Sequence, residues 1–390
     1  MTVSAWVFIA GSRWSEVHGT DANLAMAISR RVPVIWVEPP ISAAERVRTR
    51  SSMRTRSHDL APNITAIEIT TPPYPSRPIL RSVADRHFSA AIRAFAVRRN
   101  ITVEATVVAT PRADFPQLPG ERVYLVTDDW LAGAELMGLS PQWVGRKLAG
   151  NLEGADITLA VSPVLRDRLV SIRSDAIVHV LPNGSNFDQF DFGTARPPDV
   201  PAANYAVLCG QLNERLDIGV LEATVDAGAH LVVIGPVTTR DAGSREAFEK
   251  LATHPNVRFT GEKSRAEMVP YLVHASVGIT PYVVDSFNRA SFPLKTLDYL
   301  VAGLPVVSTD LPASRWLEPD GVVNAATPAE FASRVVELSD RPNDATEDRR
   351  AKQKTLLAAH SWAARADQLL GLVRGSAGAG REAASRASTA

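Results

Sequence analysis

Short apolar runs separated by helix-like patterns, repeated in two successive sets, limit the possible fold of this chain more than any other feature. In the first set the runs fall at 5–10, 32–37, 64–70, 103–109, 122–127, 156–161 and 177–181, with helices expected near 20–30, 79–99, 140–153 and 163–171. In the second they fall at 205–211, 230–234, 256–260, 277–283, 304–308 and 321–325, with helices near 215–227, 243–253, 264–274, 293–302, 312–317 and 327–339. Apolar strands linked by helices belong to parallel sheets covered on both faces, and right-handed crossovers wind them into open α/β domains. A chain of 390 residues has room for two. The expected division is a first domain over 1–184, a linker rich in Pro, Asp and Asn over 185–204, and a second domain over 205–344. A helical segment, 345–374, and a Gly/Ala/Ser tail expected to be disordered, 375–390, complete the chain.

Several classes of function are disfavoured. No stretch approaches the roughly 20 uninterrupted apolar residues of a membrane span, and the N-terminus lacks a basic region followed by an apolar core, so a cytoplasmic protein is expected. The single cysteine, Cys209, lies in an apolar run and reads as a core residue, which argues against disulfides and a cysteine metal cage. Net charge is zero, yet residues 1–112 hold 15 arginines against 8 acids. Arg46, Arg48, Arg50, Arg54 and Arg56, joined by Arg77, Arg81, Arg86, Arg93, Arg98 and Arg99, form a basic face suited to peripheral contact with anionic lipid or merely to solvent. Nucleic acid is not expected, because no aromatic residues are interleaved with that face.

Two open parallel sheets bind ligands at the C-terminal ends of their strands, so a cleft lined by those ends is the expected site. Its best-defined wall is Ser291-Phe-Pro-Leu-Lys-Thr-Leu-Asp-Tyr-Leu-Val-Ala-Gly303. Pro293 and Leu294 open a helix whose free N–H groups favour a phosphate. Lys295 sits in the first turn, where the helix dipole opposes a cation, so it is either solvent-exposed or placed to neutralise a diphosphate. Asp298 lies one turn on; it suits a pair of sugar hydroxyls, or an ion pair with Lys295. Gly210 follows a strand and permits close backbone approach, Arg215 opens the next helix within reach of a phosphate, and Gly235 and Gly261 close later strands at the same edge. In the first set, Gly11 and Ser12 follow the opening strand, His18 lies in the loop before the first helix, and Asp128 and Asp129 end another strand. The histidine and the two acids are the candidate bases or acceptor ligands; no further acid or histidine stands at metal spacing, so no metal is expected.

Together, Asp156-Ile-Thr-Leu-Ala-Val-Ser-Pro163, Val178-His-Val-Leu-Pro-Asn-Gly184, Gly210 to Asp217, Asn256-Val-Arg-Phe-Thr-Gly261 and Pro293 to Val307 resemble a GT-B glycosyltransferase of the family 4, group 1 type, in its teichuronic-acid-like branch. The resemblance implies two Rossmann-like domains facing a central cleft, with the acceptor on the first and a nucleoside-diphosphate sugar on the second, and no metal or other cofactor. It also implies a C-terminal helical segment over 345–374 whose final helix, near Ser361-Trp362, returns to the first domain. It implies transfer to a glycan or lipid-linked acceptor in envelope polysaccharide or glycolipid synthesis. Asp298 takes the place of the family's ribose-binding glutamate, Ala290 that of its sugar-contacting glutamate, Gln211 that of its phosphate-binding arginine and Leu216 that of its lysine. Those departures leave two alternatives: a nucleotide-sugar-binding partner without turnover, or a nucleotide-sugar epimerase on the same fold.

Overall fold

The computed structural model describes all residues except 1, 16–18, 51–54, 73–77, 136, 186, 188–189, 240, 342–345 and 389–390, and the side chains of 78–82, 346 and 377–388 are likewise not described. The chain forms two compact units, Met1–Pro182 with Trp362–Ala390, and Asn183–Ser361.

In chain order the first unit contains β1 (Val3–Ile9), α1 (Thr20–Ser29), β2 (Val34–Val37), β3 (Ile41–Ser42), α2 (Ala43–Arg48), β4 (Arg56–Ala61), β5 (Ile64–Glu68), β6 (Thr70–Thr71), α3 (Pro78–Arg98), β7 (Ile101–Val108), β8 (Glu121–Val126), α4 (Pro141–Gly154), β9 (Ile157–Ala160), α5 (Pro163–Ile172) and β10 (Val178–Val180). Its main sheet runs β10-β9-β8-β7-β1-β2-β5-β4. All pairs are parallel except β4 with β5. The parallel strands were legible because both faces are buried, as in Trp6, Val7 and Phe8 of β1. The edge strand β4 was not expected: its residues are mostly exposed and polar, so it carries no burial pattern to read.

The second unit contains β11 (Ala206–Cys209), α6 (Ile218–Asp226), β12 (Leu231–Ile234), α7 (Ala242–Ala252), β13 (Val257–Gly261), α8 (Arg265–His274), β14 (Val277–Thr280), α9 (Ser286–Ala290), α10 (Leu294–Val301), β15 (Val306–Thr309), α11 (Pro312–Trp316), a 3₁₀ turn over Glu318–Asp320, β16 (Val322–Ala325), α12 (Pro328–Ser339) and α13 (Thr346–His360). The order β13-β12-β11-β14-β15-β16 is the doubly wound arrangement, with its switch point between β11 and β14. Leu208, Leu221, Val233, Ile279, Val307 and Phe331 are among the side chains of its core.

Three expectations change. The described part of 185–204 is no free linker but packs within the second unit: Tyr271 Oη donates to Asp199 at 2.8 Å, a ring nitrogen of His274 lies 2.8 Å from the Thr194 carbonyl oxygen, and Asn204 Nδ2 donates to the Ser339 carbonyl at 2.8 Å. The segment 345–374, expected to return to the first domain, forms two helices divided between the units. The first, α13, stays in the second unit; the second, α14 (Trp362–Ser388), joins the first unit and packs on α1. The break falls at Ser361, whose backbone leaves the helix to form a parallel bridge with Ser185. The tail expected to be disordered continues α14 as far as Ser388; its alanines favour helix strongly enough to carry the glycines between them.

Candidate functional site

In the second unit, Gly261, Gly235 and Gly210 stand at the C-terminal ends of the neighbouring strands β13, β12 and β11. Gly210 has φ +111° and Gly235 φ +142°, conformations that only glycine adopts without strain. A Cβ on Gly235 would lie 2.1 Å from the Gly210 carbonyl oxygen, so the two turns are in backbone contact. A Cβ on Gly210 would lie 3.2 Å from the Lys295 ammonium. The glycine turns and the lysine therefore converge on one spot.

Helix α10 brings the lysine there. Pro293 is its N-cap rather than its first residue, at φ −67° and ψ 118°, and no side chain caps the helix. Lys295 Nζ sits 5.1 Å from the centre of the Tyr282 ring. Among the described residues it has no carboxylate within ion-pairing distance, which removes the expected pair with Asp298. The helix is fixed from beneath by the fully buried Tyr299, whose hydroxyl accepts a 2.7 Å hydrogen bond from the Cys209 amide. Burial pushes the Cys209 thiol up to about 12, consistent with a core residue rather than a nucleophile.

Asp298 is buried, and its Oδ1 accepts a 3.1 Å hydrogen bond from Ser185 Oγ. Asn183 Nδ2 donates at 2.7 Å to the carbonyl of Phe292, just before the N-cap, and the Ser185 amide donates at 2.8 Å to the His360 carbonyl. The segment leaving the first unit is thus tied to both ends of the first turn of α10. Asn183 reads from sequence as a turn residue and Ser185 carries no sequence signal, because their partners lie more than 100 positions away.

Arg215 is occupied differently from its expected reach toward phosphate. Its Nε donates to Asn288 Oδ1 at 2.9 Å and Nη2 to Ser291 Oγ at 3.3 Å, with the guanidinium 5.2 and 5.0 Å from the Tyr282 and Phe287 rings. It pins α9, a short helix that was expected to be loop, beside the start of α10. Ala290, at the end of α9, is fully buried.

At the corresponding edge of the first unit, the Gly11 amide donates to Asp21 Oδ2 at 3.2 Å and the Trp14 amide to Glu38 Oε1 at 3.2 Å. Ser12 is half-buried in this loop, and His18 lies outside the described residues. Asp129 is buried in an ion pair with Arg168, and its Oδ1 accepts the Ala132 amide at 3.0 Å. Asp128 is half-buried and its Oδ2 accepts a hydrogen bond from the Thr127 hydroxyl at 3.3 Å. Arg46, expected on the exposed basic face, is buried and paired with Glu68 at 2.8 Å. Arg54 and Arg77 lie outside the described residues.

The family model for group 1 glycosyl transferases matches residues 209–341, the span that contains Gly210, Arg215, Gly235, Gly261, Lys295 and Asp298. Residues 209–341 are a group 1 glycosyltransferase domain. Over 178 residues the chain is 27% identical to TuaH of Bacillus subtilis (strain 168), named as a teichuronic acid biosynthesis glycosyltransferase; the match covers 43% of this chain and 44% of that relative. The sucrose-phosphate synthase of Thermosynechococcus elongatus superposes with a TM-score of 0.72 at 16% identity, covering 96% of this chain and all of the other. The catalytic domain of starch synthase IV from Arabidopsis thaliana, bound to ADP and acarbose, does so at 0.65 and 13%, covering 96% and 99%. The fold around the glycosyltransferase domain is GT-B.

Proposed function

We propose that the protein transfers a glycosyl group from a nucleoside-diphosphate sugar to a glycan or lipid-linked acceptor in the assembly of envelope polysaccharide or glycolipid. The observation that carries this reading is Lys295: a cation in the first turn of an uncapped helix, without a carboxylate partner among the described residues, over an aromatic ring and against a glycine turn. Cleaving the anomeric C–O bond leaves the electron pair on the diphosphate. Lys295 and the first amides of α10 neutralise that growing charge, and Gly210 and Gly235 let the phosphates approach the backbone. In this reading the lysine and the helix start do the work of a metal, so none is required. Asp298, oriented by Ser185, holds the ribose, and Pro293, Leu294 and Gly261 line the nucleotide.

The acceptor belongs to the first unit, next to the loop of Gly11 and Ser12. An inverting transfer needs a base for the attacking hydroxyl, for which Asp128, Asp129 and His18 are the candidates; a retaining one needs none from the protein. Ala290 leaves the sugar to be recognised without the glutamate that the resemblance places there. The exposed Arg48, Arg50, Arg56, Arg98 and Arg99, beside Val47 and Val97, which are 70% and 74% exposed, suit the surface of an anionic membrane. Among the described residues no helix is long and apolar enough to cross a membrane, so membrane contact in this reading is peripheral, on the cytoplasmic side.

Thermal shift tests the donor site. At least one of UDP, GDP or ADP, or one of their sugars, is expected to raise the melting temperature of the wild type, and Lys295→Met to reduce the rise given by the free diphosphate. If no nucleotide stabilises the wild type, the reading fails. Binding without transfer to any acceptor marks a non-catalytic partner, and isomerisation without acceptor marks an epimerase.

A further inference from the structure

At the C-terminal edge of the first sheet, beyond Ile9 of β1 and Thr110 after β7, lies a cavity of about 780 Å³. Part of its wall is apolar and aromatic: Phe88, which is buried, and Phe115 and Trp143, which are half-buried, line it. Three arginines, Arg86, Arg93 and Arg112, line the same cavity. Among the described residues three acids line it: Asp114 and Asp85 are drawn onto Lys147, whose Nζ lies 2.5 Å and 3.5 Å from them, and Glu45 is exposed at its edge. Arg93 donates only to Gln117 Oε1 at 3.4 Å and Arg112 to the Met137 carbonyl at 3.3 Å. Among the described residues none of the three guanidiniums has a carboxylate partner.

We propose that this cavity binds the acceptor and that the acceptor is an organophosphate, a phosphoryl group joined to an apolar or sugar body. The inference rests on the glycosyl-transfer reading and gives its acceptor a chemical class. A guanidinium fork matches phosphate oxygens in pairs, and a phosphoryl group offers three terminal oxygens and up to two charges to three such forks. A carboxylate carries one charge and is satisfied by a single fork. Phe88, Phe115 and Trp143 supply a surface for the apolar face of a sugar or for a prenyl chain. An ordinary solvated basic patch has no reason to surround an aromatic-walled cavity of this size.

Calorimetric titration of the full-length protein with farnesyl monophosphate, glucose 6-phosphate and glucuronate tests the assignment, alongside the triple variant Arg86→Gln/Arg93→Gln/Arg112→Gln. One of the two phosphates is expected to bind the wild type saturably, and which one tells a lipid-linked acceptor from a soluble sugar phosphate. The triple variant should bind it at least about 100-fold more weakly, and each single variant about tenfold. The arginines are exposed, so the triple variant should melt with the wild type; should it not fold, Arg112→Lys, which keeps the charge but loses the fork, is expected to bind several-fold more weakly. The proposal is overturned if neither phosphate binds, if the variants bind as the wild type does, or if glucuronate binds as tightly as the phosphate that binds. Nucleotide thermal shifts on the same samples separate the two readings. A nucleotide shift with no phosphate binding removes only this inference, and phosphate binding with no nucleotide shift removes only the donor site.

Discussion

The C-terminal edges of the two sheets are built on opposite plans. In the second unit three polar side chains near the switch point are spent on other parts of the protein: Arg215 on Asn288 and Ser291, Asp298 on Ser185, Asn183 on the Phe292 carbonyl. Beside them stand backbone, in glycine turns and an uncapped helix, and the Lys295 ammonium. In the first unit the backbone turns are tied down by Asp21 and Glu38, and the surface beyond them is a roomy cavity with aromatic walls and arginines that, among the described residues, have no carboxylate partner. The diphosphate is the same in every nucleoside-diphosphate donor, and backbone amides suit it. Acceptors differ, and replaceable side chains suit them.

The sharpest way to break this contrast is to remove the Lys295 ammonium from the second unit's edge. Lys295→Met is expected to lower kcat by about 10²–10³-fold, the usual cost of one transition-state electrostatic contact, with a normal melting temperature in the absence of nucleotide. Steady-state kinetics with the donor found by thermal shift give the measurement. A loss confined to KM would make the lysine a ground-state binder instead and would move charge stabilisation to the α10 amides.

Asp129 tests whether the first edge holds chemistry in its carboxylates or only structure. Its pairing with Arg168 and its grip on the Ala132 amide predict that Asp129→Asn costs about 1–3 kcal/mol in urea unfolding, the value being limited by the partial exposure of Arg168. Arg168→Met should cost a similar amount. A variant as stable as the wild type but slower by about 10²-fold or more would instead make Asp129 the base.

The contrast also explains what could be read from sequence. Parallel strands such as β11, β12 and β14 were legible within a few residues because their apolar runs are unbroken and buried on both faces. So was α10, since the Pro293 start and Gly303 stop are local signals. The pairs that organise the site were not. Ser185 with Asp298 and Arg215 with Asn288 join residues 113 and 73 positions apart, and nothing local in a serine or an asparagine names its distant partner. The same holds for Arg46, which read as one more member of a basic face until the fold buried it against Glu68. The three cavity arginines were visible as charge, but their aromatic companions come from α3, α4 and the loop after β7, which only the fold assembles.

Ser185 offers a smaller probe of the rigid edge. Ser185→Ala leaves Asp298 buried without that hydroxyl and should cost about 1 kcal/mol in stability, with nucleotide affinity reduced several-fold. Asp298→Asn can still accept from Ser185 but loses the charge. If the carboxylate holds the ribose, the asparagine variant should weaken nucleotide binding more than the alanine variant at Ser185 does. If it serves only as a tie, the order reverses.

The smallest expected effect concerns how the first edge holds its loop. Glu38 is buried, and burial, set against hydrogen bonding from the Trp14 amide and the field of Arg13, raises its carboxyl above the usual glutamate range, with Glu68 adding to the rise and His58 opposing it. A raised folded-state value means that the folded protein takes up the proton at a pH where the unfolded chain has already lost it. The contribution of this group to stability is therefore complete below the unfolded glutamate value, near pH 4.3, and is lost as the pH rises through the folded value. Glu38→Gln keeps an oxygen for the Trp14 amide and removes the buried charge. It should melt about 1–3 °C above the wild type at pH 8, with the gap closing as the pH falls toward 4. A gap that widens on acidification would mean that the charge itself, through Arg13, holds the loop.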